Sequence, residues 1–231
     1  MLEALIKSEQ SQALYAGLEG AMFGRFVTSD ILARSDAAVH VAHAFTVHGL
    51  DTEVDYFTVV DDLNLDDETG AAHAGDMELG AGLYYGYVVV DIPLLVSNLT
   101  GCDAKDWAKQ DSADARNVLA GLVEAIATVS PGAKLGSTAP YAYSDFILLE
   151  AGGKQPRGLA NAYLKALPAQ GDVMQIAVDA LGRYLSDVDA MYGPTASSRV
   201  AATRKEWPET AAPHQPLGEA VKTILDAVFG A

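Results

Sequence analysis

The chain of 231 residues is half apolar and one-fifth charged, enough for a single domain, or a domain with insertions, around a real core. Its formal net charge of -16 argues against a nucleic-acid binder, because phosphate affinity comes mainly from Lys and Arg. No run of about 18 apolar residues offers a transmembrane helix, no basic-then-apolar opening marks a secretory signal, and the lone Cys102 excludes an intrachain disulfide, so a reducing, cytoplasmic setting is expected.

Leu2, Leu5, Ile6, Leu14 and Leu18 fall at helical spacings and predict an amphipathic helix from Leu2 to about Leu18, with no cap before it. Ser35 offers an N-cap and Gly49 a stop, predicting a helix near Asp36–His48. Thr52–Val60 alternates as a strand, with Thr52, Val54, Tyr56, Thr58 and Val60 on one face and Glu53, Asp55, Phe57 and Val59 on the other. A polar connection, Asn64–Gly75, leads to a second strand from about Met77 to Val90. The pair reads as a long β-hairpin arm with an acidic tip. Gly80, Gly82 and Gly86 share one face of the second strand, implying either a bulged, bent strand or a close approach by another backbone or a ligand.

Asp91 caps a short helix near Ile92–Asn98 with Pro93 in its first turn, and a longer helix follows at about Ala113–Val129. A loop, Gly132–Ser144, precedes a strand at Phe146–Leu149, a Gly-Gly-Lys turn, a helix around Gly158–Leu167 and another at about Val173–Tyr192. Residues Gly193–Pro216 read as irregular, and Leu217–Phe229 closes the chain as a helix. The mixed order, with strand pairs separated by helices, predicts an α+β domain with an antiparallel sheet.

Charge is distributed unevenly. No Lys or Arg occurs between Arg34 and Lys105, while thirteen Asp and Glu side chains run from Asp36 to Asp103. This is either an acidic solvated surface or an acidic projection that mates with a basic surface on a neighbour.

His40, His43, His48 and His73 raise a metal hypothesis, since His40 and His43 lie three apart on one predicted helix. No HExxH arrangement supports it, and surface or core histidines are the competing reading. Asp61-Asp62 and Asp66-Asp67-Glu68 lack the spacing of a calcium loop. No GxSxG, Walker A or GxGxxG element occurs, so nothing specific points to an enzyme. Neither a catalytic residue, a metal nor a cofactor is expected.

Four segments carry a family resemblance: AMFGRFVTSD (Ala21–Asp30), DAAVHVAHAFTVHGLDTEVDYFTVVDDL (Asp36–Leu63), TGAAHAGDMELGAGLYYGYVVVD (Thr69–Asp91) and GLANAYLKAL (Gly158–Leu167). In order and in combination they resemble CasC, the repeated backbone subunit of the type I-E CRISPR complex Cascade. The resemblance implies a non-enzymatic, guide-RNA-binding protein. Its fold would be an RNA-recognition-motif-like (ferredoxin-like) palm, here incomplete, with helical fingers and a long β-hairpin thumb that folds over the RNA. The implied organisation is one palm-type domain over 1–231, with a finger remnant at 1–22, the thumb arm within 51–90, and a tail and helix over 193–231. The implied partners are crRNA, the target DNA strand, other copies of the chain and other Cascade subunits, with no membrane.

Carried over by motif, the RNA-binding residues are Arg25, Phe26, Phe57, Thr58, Ala74 and Lys134. Phe57 matches the thumb wedge. It shares its face with Glu53 and Asp55, so it either stacks on a base or packs beneath the arm. Phe26 falls where the family packs an apolar side chain against bases, and Arg25 beside it would be a phosphate contact. Lys134 matches a basic loop position. Ala74 stands where a larger apolar residue would complete the wedge, and Gly86 replaces the Arg usual in Tyr-Tyr-Arg-Tyr. Against the family's pattern the resemblance implies that this sequence lacks the basic N-terminal third, an expectation that matches both the uncapped opening helix and the acidic charge. The alternative implied by these departures is an acidic interaction module that docks to other subunits without holding RNA.

Overall fold

The computed structural model describes residues 17–26, 34–59, 73–130, 139, 141–209 and 211–230, with the backbone alone for Val59, His73 and Ala74. The predicted helix from Leu2 and the acidic tip of the arm lie largely outside these residues. The described elements in chain order are α1 (Gly17–Phe23), β1 (Val39–Val41), β2 (Phe45–Thr46), β3 (Asp51–Val59), β4 (His73–Ala81), β5 (Tyr84–Tyr85) and β6 (Val88–Val90). Then come α2 (Ile92–Thr100), α3 (Ala113–Thr128), β7 (Phe146–Ala151), α4 (Val173–Tyr192), β8 (Ser198–Thr203) and α5 (Leu217–Phe229), with 3-10 turns at Ala104–Lys109 and Ala160–Tyr163. The mixed α+β class and the antiparallel sense are those the sequence predicts, but among the described residues the expected sheet is divided into four two-stranded ladders.

The helix expected near Asp36–His48 does not form; this stretch is β1, β2 and their links. Ala38, Val39 and Val47 are buried, and the β-branched and aromatic residues Val39, Val41, Phe45 and Val47 suit a pleated surface paired across to residues 84–90. Ser35 caps nothing here: its hydroxyl donates to the Gly20 carbonyl at 3.0 Å.

Likewise, the single second strand expected over Met77–Val90 is three strands. β1 pairs with β6, β2 with β5 and β3 with β4, all antiparallel, so one hairpin path runs through three ladders. Its register slips twice. Residues 42–44 oppose residues 86–87, and residues 47–50 oppose residues 82–83, leaving one and then two extra residues on the first strand. Such bulges bend and twist a strand pair. Gly82 lies at the second slip, where a Cβ would sit 2.9 Å from Thr46 Cγ2, so the slip is both bent and closely packed. The ring of His48 completes it: Leu83 N–H donates to Nε2 at 3.0 Å.

The helix expected around Gly158–Leu167 shrinks to the 3-10 turn Ala160–Tyr163. Pro168 disfavours helical backbone at Leu167, whose N–H instead donates to the Val47 carbonyl at 2.8 Å. Within Gly193–Pro216, expected to be irregular, β8 forms because β7 supplies its partner and Val200, Ala201 and Ala202 are buried. The remaining helices follow the sequence closely. Asp91 accepts from Leu94 N–H at 3.0 Å, with Pro in the first turn of α2. Asp172 does the same for Gln175 at the start of α4, which buries Ala177, Val178, Leu181 and Leu185 along one face.

Burial gathers in three clusters. Met22, Ala38, Val39, Leu95, Leu119 and Leu225 join α1, β1, α2, α3 and α5. Leu159, Leu181 and Leu185 pack with Tyr85, Phe146, Tyr163 and Trp207. Val200, Ala202 and Ala220 seat α5 on the β7–β8 ladder.

Candidate nucleic-acid interface

Arg25 and Phe26 leave α1 through Gly24, whose φ of +76° suits glycine alone. A Cβ at residue 24 would also lie 2.9 Å from both Ala37 N and the Ser35 carbonyl oxygen. This close approach lets Arg25 pair by backbone with Ser35, N–H to O at 2.9 and 3.1 Å. The amide of Asn98 ties the corner to α2 by donating to the Ala21 and Asp36 carbonyls at 2.9 and 3.0 Å.

Antiparallel pairing of residue 25 with 35 brings residue 34 opposite residue 26. Phe26 is 74% exposed, and the Arg34 guanidinium lies over its ring, 5.4 Å from the centroid. Arg34 is the residue that the motif reading missed. The signal was present: it is the last positive charge before the long acidic stretch.

The second group lies on the β3–β4 hairpin, nine register pairs long. Phe57 pairs with Gly75 and Thr58 with Ala74, so Ala74 belongs to the Thr58 row rather than the Phe57 row. Phe57 is half-buried, and its ring lies so close to Gly75 that a Cβ there would meet Cζ at 2.8 Å. Val54 and Tyr56, 66% and 68% exposed, lie on the other face, while Met77, 39% exposed and paired with Asp55, shares the face of Phe57. Asp51, Glu53, Asp55, Asp76 and Glu78 make both described strands acidic. Lys134 falls outside the described residues.

Two side-chain clusters support other parts of the fold. Phe45, Tyr85 and Tyr163 form an aromatic cluster with centroids 5.4 to 6.4 Å apart. The Tyr85 hydroxyl accepts from Leu159 N–H at 3.2 Å, and Tyr163 donates to the Ala177 carbonyl at 3.1 Å. Burial pushes both phenols above their ordinary pKa, and their proximity adds to the shift of Tyr163.

The other support is ionic. Arg199 reaches Glu150 at 2.6 Å and Asp189 at 2.7 Å, while Arg157 reaches Asp189 at 2.7 Å, tying β7, β8 and α4 together. The hydrogen bond from Arg199 holds the Asp189 carboxyl below the usual carboxylate range; burial opposes this and Arg157 adds to it.

His40 stands on β1 and His43 on the link after it, so the helical face that would have joined them does not exist. Among the described residues, no group of three or more His, Cys, Asp or Glu side chains could hold a metal ion. Nor, among those residues, is any helix long and apolar enough to cross a membrane.

The comparisons with known proteins agree with one another. The family described as CT1975-like protein matches residues 2–229. A chain of the "CRISPR RNA-guided surveillance complex, pre-nicking" is 27% identical, with a TM-score of 0.76 over 92% of this chain and 56% of that one. A chain of a "CRISPR RNA-guided surveillance complex" is 26% identical, with a TM-score of 0.76 over 96% of this chain and 84% of that one. This chain therefore spans little more than half the length of the first of these. No curated protein matches it. The matches bear out the resemblance to a subunit of a CRISPR surveillance complex, without its subtype, and with a family match across nearly its whole length the chain belongs to the CT1975-like protein family.

Proposed function

We propose that this chain is a non-enzymatic backbone subunit, or part of one, of a type I-E Cascade antiviral complex in the cytoplasm. It holds crRNA, contacts the target DNA strand, and packs against other copies of itself and other Cascade subunits. In this reading the β1–β6 and β7–β8 ladders with their helices form an RNA-recognition-motif-like palm, residues 1–22 belong to the fingers, and the Asp51–Ala81 hairpin is the thumb. The observation that carries the reading is an exposed Phe26 with one arginine beside it and another over its ring. Aromatic rings stack on bases of any sequence, and guanidinium groups hold phosphates. The likeness to chains of two RNA-guided complexes supports it. Filter binding with guide RNA and the intact neighbouring subunits tests it: Phe26→Ala and Phe57→Ala should weaken retention, and a chain that adds nothing to RNA retention would sink the reading.

A second reading follows from the charge. With a net of -16 and five carboxylates on the described arm strands, the chain could serve as an acidic module that docks to a basic subunit surface without touching RNA. RNA binding by the isolated chain with a steep salt dependence excludes this alternative.

A further inference from the structure

The Phe26–Arg34 pair has a geometry that one aromatic residue alone would not provide. A guanidinium is planar. It can lie on a ring with one face while its in-plane N–H groups point outward to an anion; an ammonium on a flexible stem does not do both. Arg34 lies over one side of the Phe26 ring, and among the described residues no carboxylate pairs with it. Both side chains are exposed, and the backbone beneath them is fixed by the Arg25–Ser35 pairing and by Gly24. A ring covered on one side offers a single stacking surface. Such a ring can cap one base but cannot wedge between two.

We infer that Arg34 is a nucleic-acid-binding residue: it covers one face of Phe26 so that one unpaired base stacks on the other, and its outward N–H groups hold a neighbouring phosphate. This rests on the RNA-holding role proposed above. It adds a residue to that site and gives Phe26 a one-sided function.

The test uses the full chain with its neighbouring subunits and a single-stranded RNA carrying the fluorescent base 2-aminopurine, titrated over a range of salt. For single strands, each phosphate contact contributes about 0.7 to the slope of log K against log salt. Arg34→Gln should make the slope shallower by about 0.7 and weaken binding roughly three- to tenfold at low salt. Arg34→Lys should keep the slope but lose part of the 2-aminopurine quenching, as Phe26→Leu does. If wild type binds and both Arg34 variants match it in slope and quenching, the inference falls while the RNA-holding role stands. If wild type itself does not bind, both fall together.

Discussion

The ring of Phe57 covers the backbone of Gly75, its register partner across the β3–β4 hairpin, with no room for a Cβ between them. An aromatic over a strand glycine shields a weak point in the ladder. In the RNA-holding role proposed above, the same half-buried ring would also stack on a base.

Two magnitudes separate these roles. A cross-strand pair contributes about 0.2–1 kcal/mol, whereas a stacked base is worth about 1–3 kcal/mol. Phe57→Ala should therefore lower hydrogen-exchange protection of the hairpin amides only modestly, yet weaken RNA binding roughly 5- to 150-fold. If Tyr56→Ala weakens binding more than Phe57→Ala does, the contact face is the row that holds Val54 and Tyr56.

Gly24→Ala tests how the corner is positioned. The left-handed φ and the 2.9 Å approach to backbone atoms of Ser35 and Ala37 leave no strain-free place for the methyl group. The expected cost is about 1 kcal/mol or more, with RNA affinity falling as Arg25 and Phe26 shift. Denaturant unfolding and RNA titration of the same variant measure both.

Arg199 is 12% exposed and bonded to two carboxylates, so Arg199→Met leaves Glu150 and Asp189 in part uncompensated. Loss of one partner from a fully buried pair costs about 3–5 kcal/mol, and with Arg157 still bonded to Asp189 the expected cost lies below that. The pH dependence carries a sign. The folded pKa of Asp189 is depressed, so its contribution is present above the ordinary aspartate range, about pH 4, and is lost as pH falls through the folded value. Unfolding midpoints of wild type should drop on acidification below about pH 4, and more steeply than those of Asp189→Asn.

Tyr85 and Tyr163 predict the opposite limb. Their folded pKa values lie above the unfolded value of about 10, so they contribute fully below that pH. Stability then falls as pH rises beyond it, because the unfolded chain ionises first. Absorbance titration of the native protein should show these two phenols resisting ionisation; titration of every tyrosine near pH 10 in the folded state would contradict the burial argument.

Much of this was legible in the sequence where local signals and tertiary demands coincide. Asp91 with Pro93, Asp172, and the apolar face from Ala177 to Leu185 place α2 and α4 within a residue or two. Legibility failed where a partner strand decides. In residues 36–48, histidines and alanines at helical spacings hide Val39, Val41, Phe45 and Val47, and only pairing with residues 84–90 makes them strands. The register slips at residues 42–44 and 47–50 are equally invisible without the opposing chain. For the site, motif positions gave Arg25 and Phe26, but Arg34 required the Arg25–Ser35 pairing to be seen beside them. Alternation placed Phe57 correctly in its row; that Gly75 lies beneath it depends on register.

The most direct test of the RNA-holding role is ultraviolet crosslinking of the assembled complex, built on a guide RNA with photoreactive uridines and read by mass spectrometry. Crosslinked peptides spanning Arg25–Phe26 and Phe57–Thr58 are expected. Efficient crosslinking confined to neighbouring subunits, with both peptides unmarked, would contradict it.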